Sequence, residues 1–293
     1  MSIALKAFAH GKINLYLDVL NRLPNGYHAI ESVMQSVSLC DTVTLTVDEY
    51  DKDECEIEIS SDSAVIPNDK SNIVYKCAKA FLDFNKINSK KCSFVIEKNI
   101  PVAAGMAGGS SDGAAALKLL NESFGNPLSH KELCLLGSKI GADIPFCLTG
   151  GTCICKGVGE DITPIKGFGG VYLVCAIDSS SVSTPVAFSM LDEKYGTECT
   201  SSSDISLIVN AIENKDISLT SSLLFNKFES VIIPKNGNVE KIKEIMKENG
   251  AKGALMSGSG PSVFGIFMDE ISQKNAYSAL KNCSINAFLC KTL

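Results

Sequence analysis

"PVAAGMAGGSSDGAAALKLL", residues 101–120, is the stretch on which the reading of the whole chain turns. Pro101 closes a strand. Gly105, Gly108 and Gly109 allow backbone conformations closed to other residues and close approach to a ligand. Ser110, Ser111 and Asp112 stand where a helix begins, and Leu117, Leu119 and Leu120 continue it. The first N–H groups of a helix lack internal partners and lie at the positive end of its dipole, so a bare loop leading into one suits phosphate. The stretch is neither G-x-x-x-x-G-K-[ST] nor G-x-G-x-x-G, which excludes a Walker loop and a dinucleotide fingerprint. Taken alone, it reads equally well as a glycine turn before a small-residue helix packed on a sheet.

With 293 residues the chain is long enough for two domains, and a net charge of -6 argues against a broad basic face for nucleic acid. No apolar run approaches the ~18 residues of a membrane span. The N-terminal stretch is interrupted by Lys6, His10 and Lys12 and is not expected to form a signal-peptide core. The 12 cysteines are scattered without a C-x-x-C, and only His10, His28 and His130 could join them in a zinc site, for which the spacing is wrong. They read as small buried apolar residues in a reducing cytoplasm.

Period-two alternation predicts two strands over residues 3–19, with Ile13, Leu15, Leu17 and Val19 on one face and Lys12, Asn14, Tyr16 and Asp18 on the other. "NRLPNGYH" (21–28) is a turn; "DTVTLTV", "CEIEIS" and "KCSFVIEK" are strands. A helix capped by Ser71 and another opened by the capping box Ser129 and Glu132 complete the first half. The second half reads as strand "GVYLVCAI", helices "TPVAFSMLDEKY", "DISLIVNAIENKD" and "NVEKIKEIMKEN", and the strand–turn–strand "GALMSGSGPSVFGIFM". Mixed rather than alternating elements favour α+β layers, with a domain boundary at 157/158.

Three segments add to the glycine stretch. "HGKINLYL" puts Lys12 and Asn14 on a polar strand face. "GADIPFCLTGG" places Asp143 before Pro145, where the plain reading is a helix cap. "SGSGPSVFG" is a tight turn between strands. Together with "AHGKINLYLDVLNRLPNGYHAIESVMQSVSLCD" and "STPVAF", these segments resemble the GHMP kinase superfamily, in family order and over nearly the whole chain. The N-R-x-x-x-G-Y-H segment points to the branch that acts on 4-diphosphocytidyl-2-C-methyl-D-erythritol. The chain departs from the family at Ala103, Ala104, Met106 and Ala107, where the loop usually carries three glycines and a leucine, and at Asn25, where Asp is usual.

The resemblance implies an α+β fold of two domains, 1–157 similar to ribosomal protein S5 and 158–293 ferredoxin-like, with the active site in the cleft between them. It implies an ATP- and Mg²⁺-dependent kinase of the non-mevalonate isoprenoid route, cytoplasmic, monomeric or homodimeric, with a small-molecule substrate and neither nucleic acid nor membrane as partner. Pro101, Val102, Ala103, Ala104, Gly105, Met106, Ala107, Gly108, Gly109, Ser110 and Ser111 are expected to wrap the triphosphate. Asp143 is the expected general base and Lys12 its partner in charge stabilisation. Asn14, Tyr27, His28, Thr184 and Phe188 are expected to bind the substrate, Tyr27 and Phe188 sandwiching the cytosine while His28 reads its edge. No metal ligand is assigned. The competing readings are a GHMP kinase for another alcohol, an inactive ligand-binding relative and, weakest, a serine hydrolase built on "SGSGPS".

Arg22 is the one arginine among 27 basic residues. A lysine-rich chain that keeps one guanidinium just before Tyr27 and His28 is expected to use its planar fork, here in a bidentate pair with Asp41 or Glu31 that shapes the turn.

Overall fold

The computed structural model describes residues 4–178, 182–196 and 204–293. Strands and helices are mixed along the chain, as α+β layers require. They gather into two compact units that interleave in sequence. One comprises the chain up to Gly11, Cys40–Ala103 and Ala107–Thr149; the other comprises Lys12–Leu39, Ala104–Met106 and Gly150–Leu293. Two long strands, β1 (Ala4–Arg22) and β2 (His28–Glu49), supply residues to both. The sequence reading split the first of these into two strands, but no turn interrupts it.

The first unit adds β3 (Glu56–Ser61), α1 (Ile73–Phe84), β4 (Lys90–Glu97), α2 (Gly108–Ser123), α3 (His130–Ser138) and α4 (Ile144–Thr149). β4 runs antiparallel to β2, Thr42 facing Glu97 and Glu49 facing Lys90, and parallel to β3. Val43, Leu45, Phe94 and Ile96 from these strands share one core with Phe81, Leu117, Leu120 and Ile144 from the helices. The cap of α1 is Asn72, whose side chain accepts from the Val74 N–H, and not Ser71, whose hydroxyl donates to Asp69 instead. The capping box of Ser129 and Glu132 is present. Small residues in α2 serve helix packing: a Cβ on Gly113 would lie 2.9 Å from Cys77 Sγ.

The second unit continues with β5 (Thr152–Lys156), β6 (Asp161–Pro164), β7 (Tyr172–Ile177), α5 (Thr184–Tyr195), α6 (Ile205–Glu213) and α7 (Ile217–Ser222). Then come β8 (Phe225–Asn226), α8 (Glu229–Ile232), a short 3-10 turn, α9 (Gly237–Glu248), β9 (Gly253–Met256), β10 (Ser262–Phe267), α10 (Glu270–Asn282) and β11 (Asn286–Lys291). β5 pairs with β2 across Ser32–Gln35, and β8 runs parallel to β1 at Tyr16 and Leu17. A separate sheet has the order β11-β7-β10-β9 with every pairing antiparallel. Its chain order, β7–α9–β9–β10–α10–β11, is the βαββαβ succession of a ferredoxin-like unit, with α5–α8 inserted after β7. Val174, Phe267, Met246 and Leu280 fill its core together with Leu17 and Val19 of β1.

The described cysteines are free thiols, and burial pushes that of Cys77 up to about 12. Cys199 lies outside the described residues. No helix among the described residues is long and apolar enough to cross a membrane.

Candidate active site

Alternation in β1 placed the right residues on the right faces, but the polar face is not solvated. Lys12, Asn14, Tyr16 and Asp18 are all buried. Burying such groups is tolerable only when each is paired. Lys12 Nζ donates to Asn14 Oδ1 at 2.9 Å, and Asn14 Nδ2 donates to Ser32 Oγ at 2.8 Å. The Asn14 N–H reaches Ser257 Oγ at 3.1 Å. Asp18 meets Lys227 Nζ at 3.1 Å. The strand therefore carries a polar network from Lys12 to the turn after β9.

The middle of the glycine loop joins the same network within the second unit. The Lys12 N–H donates to the Met106 carbonyl at 3.0 Å, and Ser262 Oγ donates to the Ala104 carbonyl. Gly105 has φ +73, and a Cβ there would lie 2.8 Å from the Gly260 carbonyl oxygen. The lysine strand, residues 104–106 of the glycine loop and the turn 257–262 thus meet through these hydrogen bonds. Thr184, at the start of α5, lies 2.9 Å from Ser259 through their hydroxyls.

Pro101, Val102, Ala103 and residues 107–111 belong to the first unit. Ala103 and Ala107 adopt left-handed φ values of 56 and 57, which cost an alanine about 1–2 kcal/mol each and which glycine takes freely. At Gly108 a Cβ would press on Ile100 Cγ2 at 3.1 Å and Lys98 Nζ at 3.4 Å. Gly109 is different: it is exposed, and a Cβ would meet only Ile73 at an ordinary 3.7 Å. The scarcity of side chains at 105, 108 and 113 is therefore demanded by the protein's own packing, and Gly109 alone has room to spare. Ser111 is buried, its hydroxyl donating to the His10 carbonyl at 2.6 Å, while Ser110 is half-buried. Asp143 is half-buried just before α4, and its carbonyl accepts the Cys147 N–H at 3.0 Å.

Beneath the start of this loop lies a buried cluster that the sequence reading missed. Lys98 Nζ donates to Asp41 Oδ2 and, at 2.7 Å, to Asp112 Oδ2. Asp41 Oδ1 also accepts the backbone N–H groups of Asn99 and Ile100, at 2.6 and 2.7 Å. Asp112 Oδ1 is buried with no hydrogen-bond partner. Two carboxylates share one ammonium, and Asp112 has the poorer share. Burial, opposed by Lys98 and assisted by Asp41, pushes its carboxyl up to about 7. Burial works against the Lys98 charge, yet Asp112 and Asp41 together raise its pKa. Spacing gave no hint of this cluster, because 41, 98 and 112 come from three separate elements.

The turn between β1 and β2 is closed by Gly26 N–H to the Leu23 carbonyl and Leu23 N–H to the Tyr27 carbonyl, at 2.9 and 2.7 Å. Tyr27 is 65% exposed and stacks on no ring among the described residues. His28 is buried, and its ring stacks on Phe188 with centroids 4.6 Å apart and planes 11° apart. Its Nε2 lies 2.8 Å from Asp192 Oδ1. The expected carboxylate partners of Arg22 are engaged elsewhere: Asp41 by Lys98, and Glu31 by Lys156 at 2.7 Å. Arg22 instead reaches Asp192 Oδ2 at 3.7 Å through one nitrogen, and its Nε donates to the Gly26 carbonyl at 3.4 Å. Asp192 was also missed, although Thr184, Phe188 and Asp192 recur every four residues on a legible helix.

Among the described residues no group of three His, Cys, Asp or Glu side chains could hold a metal ion.

Residues 72–151 match the model of the GHMP kinases N terminal domain, and residues 208–286 that of the GHMP kinases C terminal domain. A 4-diphosphocytidyl-2-C-methyl-D-erythritol kinase of Clostridium novyi is 39% identical over 287 residues, 97% of this chain and 99% of its own. One from Acetivibrio thermocellus is 40% identical over 292 residues, 100% of this chain and 99% of its own. The crystal structure of a 4-(cytidine 5'-diphospho)-2C-methyl-D-erythritol kinase superposes with a TM-score of 0.81 at 25% identity, covering 98% of this chain and 99% of that one. A homoserine kinase from Cytophaga hutchinsonii superposes at 0.76 with 19% identity, covering 99% and 94%, a likeness of fold alone.

Proposed function

The chain belongs to the 4-diphosphocytidyl-2-C-methyl-D-erythritol kinases of the GHMP kinase family, and on that footing we propose how its residues do the work. It moves the γ-phosphoryl group of ATP onto the 2-hydroxyl of 4-diphosphocytidyl-2-C-methyl-D-erythritol, a step of the non-mevalonate route to isoprenoid precursors. The observation that carries the reading is the meeting of Lys12, Ala104–Met106 and the turn 257–262 through hydrogen bonds.

Phosphoryl transfer asks for positioning, charge neutralisation and removal of one proton. Residues 101–111 hold the triphosphate at the N-terminus of α2, which no side chain caps. Lys12, held by Asn14, which Ser257 holds in turn, offsets charge on the transferring group. Asp143 takes the hydroxyl proton. Tyr27 and Phe188 hold the cytosine, His28 reads its edge with help from Asn14, and Thr184 lies along the path of the methylerythritol. Mg²⁺ entering with ATP would supply neutralisation of charge on the transferring phosphates. The family division at 157/158 is supported by the two domain models, which lie one on each side of it. The free thiols support a reducing cytoplasm, where the enzyme works as a monomer or homodimer.

Incubation with ATP, Mg²⁺ and 4-diphosphocytidyl-2-C-methyl-D-erythritol, followed by phosphorus NMR, tests the reading. A new phosphomonoester resonance appears in step with ADP. In Asp143→Asn it forms ~10²–10⁴-fold more slowly while the protein stays folded. ADP without the monoester, or turnover of a different alcohol in its place, contradicts the assignment.

A further inference from the structure

The proposed cytidine site contains a carboxylate whose task the family reading leaves open. Asp192 lies two turns along α5 from Thr184 and one turn from Phe188, on the same helix face. It sits 2.8 Å from His28 Nε2. A carboxylate can only accept, so Nε2 carries the hydrogen. In the neutral ring that leaves Nδ1 as an acceptor. The ring plane is fixed by stacking on Phe188. Arg22 approaches the other oxygen of Asp192, so the carboxylate is steadied from both sides.

We propose that Asp192 is a positioning residue for base selection: it locks His28 in the form whose Nδ1 accepts a hydrogen bond, so the site favours a base with an exocyclic amino group over one with a carbonyl. The proposal rests on the cytidine reading of this site. Cytosine offers an N4 amino donor where uracil offers the O4 acceptor. An Nδ1 lone pair pairs with the first and repels the second. Asp192→Asn keeps the shape but removes the constraint, because an amide can also donate to Nε2 and let the proton move to Nδ1.

The test is inhibition of the kinase by cytidine 5'-diphosphate and uridine 5'-diphosphate, each measured against the cytidyl substrate. Wild type prefers the cytidine nucleotide. In Asp192→Asn the ratio of the two inhibition constants falls by about tenfold, the scale of one base-edge hydrogen bond, and KM for ATP is unchanged. Loss of affinity for both nucleotides in equal proportion, with the ratio preserved, means that Asp192 only supports the fold and overturns the proposal. Arg22→Gln gives the check on a folded protein whose His28 contact is untouched: a smaller fall in the same ratio supports the proposal, and a fall in ATP affinity instead overturns it. If wild type itself does not act on the cytidyl substrate, the functional reading fails first and this inference with it. If it acts but does not tell the nucleotides apart, this inference alone fails.

Discussion

Lys98 and Arg22 each stand beside carboxylates next to a loop proposed to bind a substrate, yet their surroundings are opposite. The Lys98 side chain is 6% exposed and bridges Asp41 and Asp112, both nearly inaccessible. The Arg22 side chain is 47% exposed and touches Asp192 at a loose 3.7 Å. The same pairing of charges does different work at the two places. In the sealed cluster, removing one partner strands charge in a low dielectric, so its loss is expected to cost stability. In the open one, water screens the pair, and its effect is on the orientation of His28 rather than on folding.

The largest expected effect follows from breaking the sealed cluster. Lys98→Met leaves two buried carboxylates without their cation and is expected to cost about 3–5 kcal/mol of stability, read from urea denaturation. A loss as small as that of a surface substitution would erase the contrast. Asp112→Asn sharpens it. The Asp112 carboxyl sits higher in the folded protein, at about 7, than the ~3.9 of an unfolded aspartate. Its contribution is therefore complete below the unfolded value and is lost as pH rises through the folded one. Wild type should lose roughly 1 kcal/mol more than Asp112→Asn between pH 6 and pH 8. Parallel pH profiles for the two proteins would remove Asp112 as the group that titrates there.

The smallest effect belongs to the open cluster. Arg22→Lys should leave the unfolding transition in place and raise KM for the cytidyl substrate by a few-fold at most, since an exposed ion pair contributes about 0.2–1 kcal/mol. KM for ATP should not move. A selective rise in KM for ATP would instead point to a phosphate contact.

What could be read from the sequence divides along the same line. Local pattern was enough for α5, which spans the predicted "TPVAFSMLDEKY", for the capping box of Ser129, and for the two faces of β1. It was not enough to say that the polar face of β1 is buried, because alternation reports sidedness and not what covers each side. The residues of the 22–28 turn were named from motif resemblance, but Asp192 and the partner of Arg22 depend on α5 folding back onto His28. Lys98, Asp41 and Asp112 were invisible because their meeting is a fact of tertiary structure. The bare loop was read as room for phosphate, whereas Gly105 and Gly108 are first required by Gly260 and Ile100. Only Gly109 is free to be judged by a ligand.

That freedom makes Gly109→Val the most direct probe of the account, in which the glycine loop holds ATP and the 22–28 turn with α5 holds the cytidyl substrate. Gly109 is exposed and a Cβ there meets Ile73 at an ordinary 3.7 Å, so the fold should survive. Calorimetric titration of this variant with ATP–Mg²⁺ and, separately, with cytidine 5'-diphosphate should show ATP affinity reduced by more than about tenfold, a step of ~1.4 kcal/mol, and cytidine nucleotide affinity unchanged. Undiminished ATP binding, or equal loss of both ligands, would contradict the division of labour between the two loops.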